Sequence, residues 1–323
     1  MRAVILLATV LFPGVSFAHT RWFAVEPLPT IASTEPTLLY LVAWACVALV
    51  AIAIGVWLER KHVLHLDWMR PHASHVFERA ASTFSMVVGS FFMIAGTHAY
   101  LFSPNLSHDG GVSMLLIMFQ FVVGLSFLLG VFARVSALAL AGLWLLGVFV
   151  VGFVPMLENI WVLSSAVFIF IMGNDYFSIT KARALAHLAK PYRAYALPVL
   201  RVGAGATLLV LGFTEKILHP EFGLSFLAQH NWNFMQHLGF VHYSDYLFTL
   251  SAGSVEALFG IIFILGIVTR LNALVVATFF TAPLFLLGPM ELAGHVPHFA
   301  AVILLLIFGA GERWRLVHHP RVR

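Results

Sequence analysis

GAGATLLVLGFTEKILHP, residues 203–220, and YLFTLSAGSVEALFGIIFILGIVTR, residues 246–270, are apolar runs of helical length that carry charge where a lipid-facing helix has none. The first ends in Glu215-Lys216, and the second holds Glu256 near its middle. Ionisable side chains at membrane depth are expensive and tend to mark a ligand or ion path. Function is therefore sought first in this stretch.

The rest of the chain sets these runs in a membrane protein. Hydrophobic residues make up 61% of the sequence and charged residues 10%, with a mean hydropathy of +0.94. Such a chain has too little polar surface to cover a water-soluble core. In lipid, backbone hydrogen bonds close only within helices or a sealed barrel, and the apolar runs lack the alternation of barrel strands. The expected fold is an all-α polytopic transmembrane bundle. Nine spans are predicted, at 38–58, 80–101, 112–132, 136–156, 160–179, 197–218, 246–268, 272–288 and 296–308.

Residues 1–18 have the basic start, apolar middle and Ser16-Phe17-Ala18 end of a cleaved signal peptide. The mature chain then starts at His19, outside the cytoplasm. With that start, Arg60, Lys61, Arg70, Arg79, Arg134, Lys181, Arg183, Lys190, Arg193, Arg270, Arg313, Arg315, Arg321 and Arg323 fall on the cytoplasmic side, against Arg21 and Lys216 outside. This asymmetry predicts a bacterial inner-membrane protein with a periplasmic N-terminus and a cytoplasmic C-terminus. It also accounts for the net charge of +4 through the lipid bilayer, with no need of nucleic acid. Cys46, the single cysteine, lies within an apolar span and has no partner for a disulfide.

The chain repeats itself. GLSFLLG at 124–130 followed by Arg134 aligns without gaps on GIIFILG at 260–266 followed by Arg270, and Gly173 falls on Gly309. At a second offset, Gly89, Gly96 and Pro104 fall on Gly205, Gly212 and Pro220. The expected organisation is a segment 19–79 with a lead helix, four-helix units at 80–195 and 196–312, and a basic tail at 313–323. An even number of helices per unit makes the two copies parallel repeats about an axis along the membrane normal. Within this alignment Gln120 corresponds to Glu256 and Tyr100 to Lys216, so the second copy carries charge where the first does not.

The second unit resembles the DoxX family of small four-helix membrane proteins. Gly212 to Lys216, Glu256-x-x-x-Gly260 and Gly266-x-x-x-Arg270 carry the resemblance, which covers 196–312 well and 80–180 more weakly. It implies a membrane subunit or accessory factor of a quinone-linked oxidoreductase system, acting beside a partner oxidoreductase subunit. The site expected is the periplasmic mouth of the second unit.

The residues themselves suggest the chemistry. Glu256, Lys216 and Glu215 are the catalytic candidates, and a carboxylate as deep as Glu256 is expected either to pair with Lys216 or to stay protonated. The stretch 219–246 reads as an interfacial amphipathic helix, or as a lid on which Trp232, Phe234 and His237 bind a quinone ring. A second reading is copper handling. A mature terminus at His19 presents an amine and an imidazole together, which resembles the start of a histidine brace, with His98, His219, His295 and His298 as further ligands. His295-x-x-His298, His62/His65 and His72/His75 are pairs at one-turn spacing. A third reading is a scaffold without its own chemistry.

Overall fold

The computed structural model describes residues 35–71, 73, 75–106, 111–179, 185–287 and 290–317, without the side chains of 282–293. The signal peptide and His19 lie outside the described residues, as do His72, Lys181, Arg183, Arg321 and Arg323. Among the described residues every regular element is helical.

Ten principal helices follow in order: α1 (Leu38–Arg60), α2 (His75–Thr97), α3 (Gly111–Leu129), α4 (Ala133–Val150), α5 (Ile160–Met172), α6 (Ala196–Gly212), α7 (Pro220–His230), α8 (Asp245–Leu265), α9 (Thr269–Leu287) and α10 (Met290–Phe308). Each expected span is matched by one of them, and α7 lies within 219–246, where an interfacial helix is expected. Six helical stretches are long and apolar enough to cross a membrane, while α5 and residues 294–308 of α10 are shorter apolar helices. The chain is therefore a multi-pass helical membrane protein.

Differences from the expected spans have local causes. The span 136–156 stops at Val150 because Gly152 takes φ 108° and restarts the chain as a short turn, Phe153–Glu158. The span 160–179 stops at Met172, where Gly173 at φ 72° ends the helix. Where caps are clear they are polar: the Thr37 side chain accepts from Tyr40 N at 3.3 Å, and Ser244 accepts from Leu247 N at 3.2 Å.

The glycines set the closest helix approaches. A Cβ placed on Gly89 would stand 2.5 Å from the Gly124 carbonyl oxygen, which lets α2 and α3 touch backbone to backbone. Gly205 and Gly260 do the same for α6 and α8, also at 2.5 Å. The helix α5 packs along α6, and α10 packs along α2. The aromatic core of Phe84, Phe92, Phe127, Trp161 and Phe168 therefore continues into Leu200 and Leu304. By contrast α1 is exposed along most of its length, as at Leu39 and Leu49, and rests mainly on α8. Lipid is the solvent for that surface.

One end of the bundle is tied by arginines. Fully buried Arg201 donates to the carbonyls of Phe263, Ile264 (2.8 Å), Ala310 (3.2 Å) and Trp314 (2.6 Å), capping the C-terminus of α8. Arg134 reaches Met172 O and Asp175, and Arg270 reaches Asp67 Oδ1 at 2.7 Å. Buried Glu59 accepts from Val268 N at 2.7 Å and from Arg315, which anchors α1 to the same end.

Candidate functional site

The helix α6 does not end as an α-helix. Residues Phe213–Ile217 form a π-helical turn, closed by Leu218 N donating to Phe213 O at 2.8 Å. One extra residue per turn rotates the side chains that follow, and such turns occur often at functional sites. Here the turn sends neighbouring acid and base to different places. Glu215 is turned inward with 2% of its surface exposed, and Lys216 is turned toward α8.

Lys216 Nζ donates to Glu256 Oε2 at 2.6 Å, with 19% and 18% of the two side chains exposed. The contact forms because Gly253, one turn before Glu256, leaves room for the lysine. A Cβ at Gly253 would lie 2.6 Å from Lys216 Cβ. Gln120, which the sequence alignment sets against Glu256, is fully buried and has a different task. Its side-chain oxygen accepts from Phe102 N at 2.9 Å and its amide donates to Tyr100 O at 3.3 Å, so it fixes the loop after α2.

Glu215 lines a cleft between α2, α5, α6 and α10. Phe91 of α2, the loop residues Phe102, Ser103 and Asn105, Glu158, Asn159, Trp161 of α5, Leu211 of α6, Glu215, and Gly294 and His298 of α10 line it. The cleft encloses about 370 Å³ of space between atoms, its open mouth included. Glu158 faces the same space with 4% of its surface exposed, and both its carboxylate oxygens are buried. Its turn is held by Trp144 Nε1, which donates to Met156 O and Asn159 O at 3.0 Å each. Asn159 in turn donates to Ser103 Oγ at 3.2 Å and Pro155 O at 3.0 Å.

The walls are aromatic. Trp161 meets Phe91 edge-on at 5.3 Å between ring centres, and the His298 ring lies 5.2 Å from Trp161 on the other side. Beside the cleft lies an adjoining cavity, lined by Trp161, Ser164, Ser165, Leu200, Ala204, Leu208, Phe280, Pro297, His298, Ala301 and Val302. Two carboxyl groups and an imidazole thus line one crevice, together with Ser103, Asn105 and Asn159. Such a set can hold a polar head group and pass protons to it or from it.

The other candidates stand elsewhere. Trp232 packs on Phe226 at 5.9 Å and Phe234 on Phe248 at 5.0 Å, and these residues and His237 are not among those that line the two cavities above. The aromatic surfaces at the cleft are instead Phe91, Phe102 and Trp161. Exposed His98 stacks on Tyr100, and His219 Nδ1 lies 3.1 Å from Glu221 Oε1. His295 is buried against Phe280, with its ring centre 6.4 Å from that of His298. Among the described residues no three metal-ligating side chains come together. On the arginine-tied end His62 and His65 stack at 4.9 Å beside Glu59.

Glu158, Trp161 and Asn159 are the residues that sequence reasoning missed. Glu158 is a lone acid in the gap between the expected spans 136–156 and 160–179. No family model, characterised protein or solved structure matches the chain significantly.

Proposed function

We propose that this chain is a DoxX-like membrane subunit of a quinone-linked oxidoreductase system and that it binds the quinone head group in the cleft between its halves. One observation carries the reading: Glu158, Glu215 and His298 converge between aromatic walls at a helix-bundle interface. Apolar pockets with a few convergent polar groups are the usual form of small-ligand sites, and this one opens between helices of a bundle.

Two four-helix repeats, at 80–195 and 196–312, are part of the same proposal. The matched crossings at Gly89/Gly124 and Gly205/Gly260, and the exchanged contacts of α5 and α10, support a pseudo-twofold relation. Gly130 and Gly266, at φ 68° and 67°, agree with it in local backbone. The cleft then lies on the pseudo-axis, and the arginine-tied end faces the cytoplasm of a bacterial cell.

Conversion of a quinone to a quinol takes two electrons and two protons. The partner oxidoreductase supplies the electrons. Glu158 and Glu215 supply the protons and regain them from water at the cleft mouth, while His298 donates a hydrogen bond that orients a quinone carbonyl. Phe91 and Trp161 hold the ring plane and exclude bulk water.

Loss of one such hydrogen bond is worth about 1.4 kcal/mol, a tenfold change in affinity. His298→Leu is therefore expected to raise the Kd of a short-chain quinone about tenfold, by equilibrium binding to the full chain in lipid nanodiscs. Unchanged affinity would remove His298 from the site and with it the head-group assignment.

A further inference from the structure

The second cavity extends the first and differs from it in character. Leu200, Ala204, Leu208, Phe280, Ala301 and Val302 make its surface largely apolar, whereas the first carries two carboxylates. Trp161 and His298 line both cavities, so the two adjoin across this pair of side chains. The sequence of environments along this crevice is acid pair, aromatic waist, aliphatic trough. A compact polar ligand has no use for the trough, and a fully apolar one has none for the acids.

We propose that the two cavities form one site for an amphipathic lipid, whose polar head lies between Glu158 and Glu215 and whose single apolar chain passes the Trp161–His298 waist into the trough. This rests on the quinone reading and deepens it, because it assigns the first isoprenoid units of the chain to a groove in the protein rather than to the surrounding lipid. The trough lies between α5, α6, α9 and α10. Chain length thereby becomes a determinant of affinity: burial of aliphatic groups favours the longer ligand in proportion to the area covered.

The test compares a quinone bearing one isoprenoid unit with one bearing three, both titrated into the full chain in nanodiscs after correction for their partition into empty nanodiscs. The wild type is expected to bind the longer quinone about tenfold more tightly. Ala204→Leu, which fills the trough, is expected to bring that ratio close to one. Ala301→Leu, which fills the same trough from α10, is expected to do likewise and serves if the first variant does not fold. Equal affinities in the wild type, or a ratio untouched by Ala204→Leu in a folded protein, overturn the chain assignment while the head-group site stands. Failure of both quinones to bind the wild type overturns the functional reading itself.

Discussion

Glu215→Gln is expected to lower quinone reduction about 100-fold, the lower range for loss of a positioned general acid. The experiment measures quinol formation in native membranes, with the variant as the sole copy of the chain. Glutamine has nearly the same shape, and Glu215 sits on a π-turn whose backbone bonds do not involve its side chain, so the fold should survive the change. Glu158→Gln is expected to behave alike, because the two carboxylates face one cleft. The double variant should be little worse than either single one if the acids work as a unit. Wild-type rates in both single variants would show that the acids are structural and would leave the cleft without chemistry.

Lys216→Met is expected to destabilise the protein by about 2–3 kcal/mol, read as a shift in the midpoint of detergent-induced unfolding. Removal of one partner from a buried pair leaves the other charge desolvated and uncompensated, at a cost near 3–5 kcal/mol. The lower figure applies because both side chains keep roughly a fifth of their surface exposed. Replacement of both, as Lys216→Met with Glu256→Leu, removes the uncompensated charge and should recover most of the loss. Lys216→Met should also disturb the cleft. The π-turn binds Lys216 and Glu215 into one piece of backbone, so loss of the Glu256 anchor frees the acid next to it. A double variant no more stable than Lys216→Met would mean that the pair does more than neutralise charge.

How much of this was legible depends on the range over which the physics acts. Composition and apolar run length act locally: a helix lies at each expected span, and six helical stretches are long and apolar enough to cross a membrane. The glycine pattern was also readable, since a missing Cβ matters wherever two backbones cross, and Gly205/Gly260 is such a crossing. The partnership of Lys216 with Glu256 followed from scarcity: few cations were available at that depth, and a carboxylate there needs one. The π-turn was not legible, because one inserted residue leaves no mark in hydropathy. It decided that Glu215 and Lys216 part company.

The cleft was the larger gap. Its residues come from α2, the loop near Ser103, the turn ending at Glu158, α5, α6 and α10. No local signal joins positions so far apart in sequence. Sequence reading instead followed local aromatic density to Trp232, Phe234 and His237, which pack among their neighbours around α7 and α8. The signals available for Glu158 were its isolation between apolar runs and its distance from any basic residue. His298 was singled out for its spacing from His295, while its contact with Trp161 is tertiary.

The central claim is that the crevice between the two halves holds the ligand. A photoreactive quinone with its label on the ring, irradiated with the full chain in nanodiscs and mapped by peptide mass spectrometry, tests it most directly. The label is expected on residues 156–161, 211–215 and 294–298, with protection by excess unlabelled quinone. Label confined to the lipid-exposed faces of α1 and α3, or spread without protection, would contradict the account.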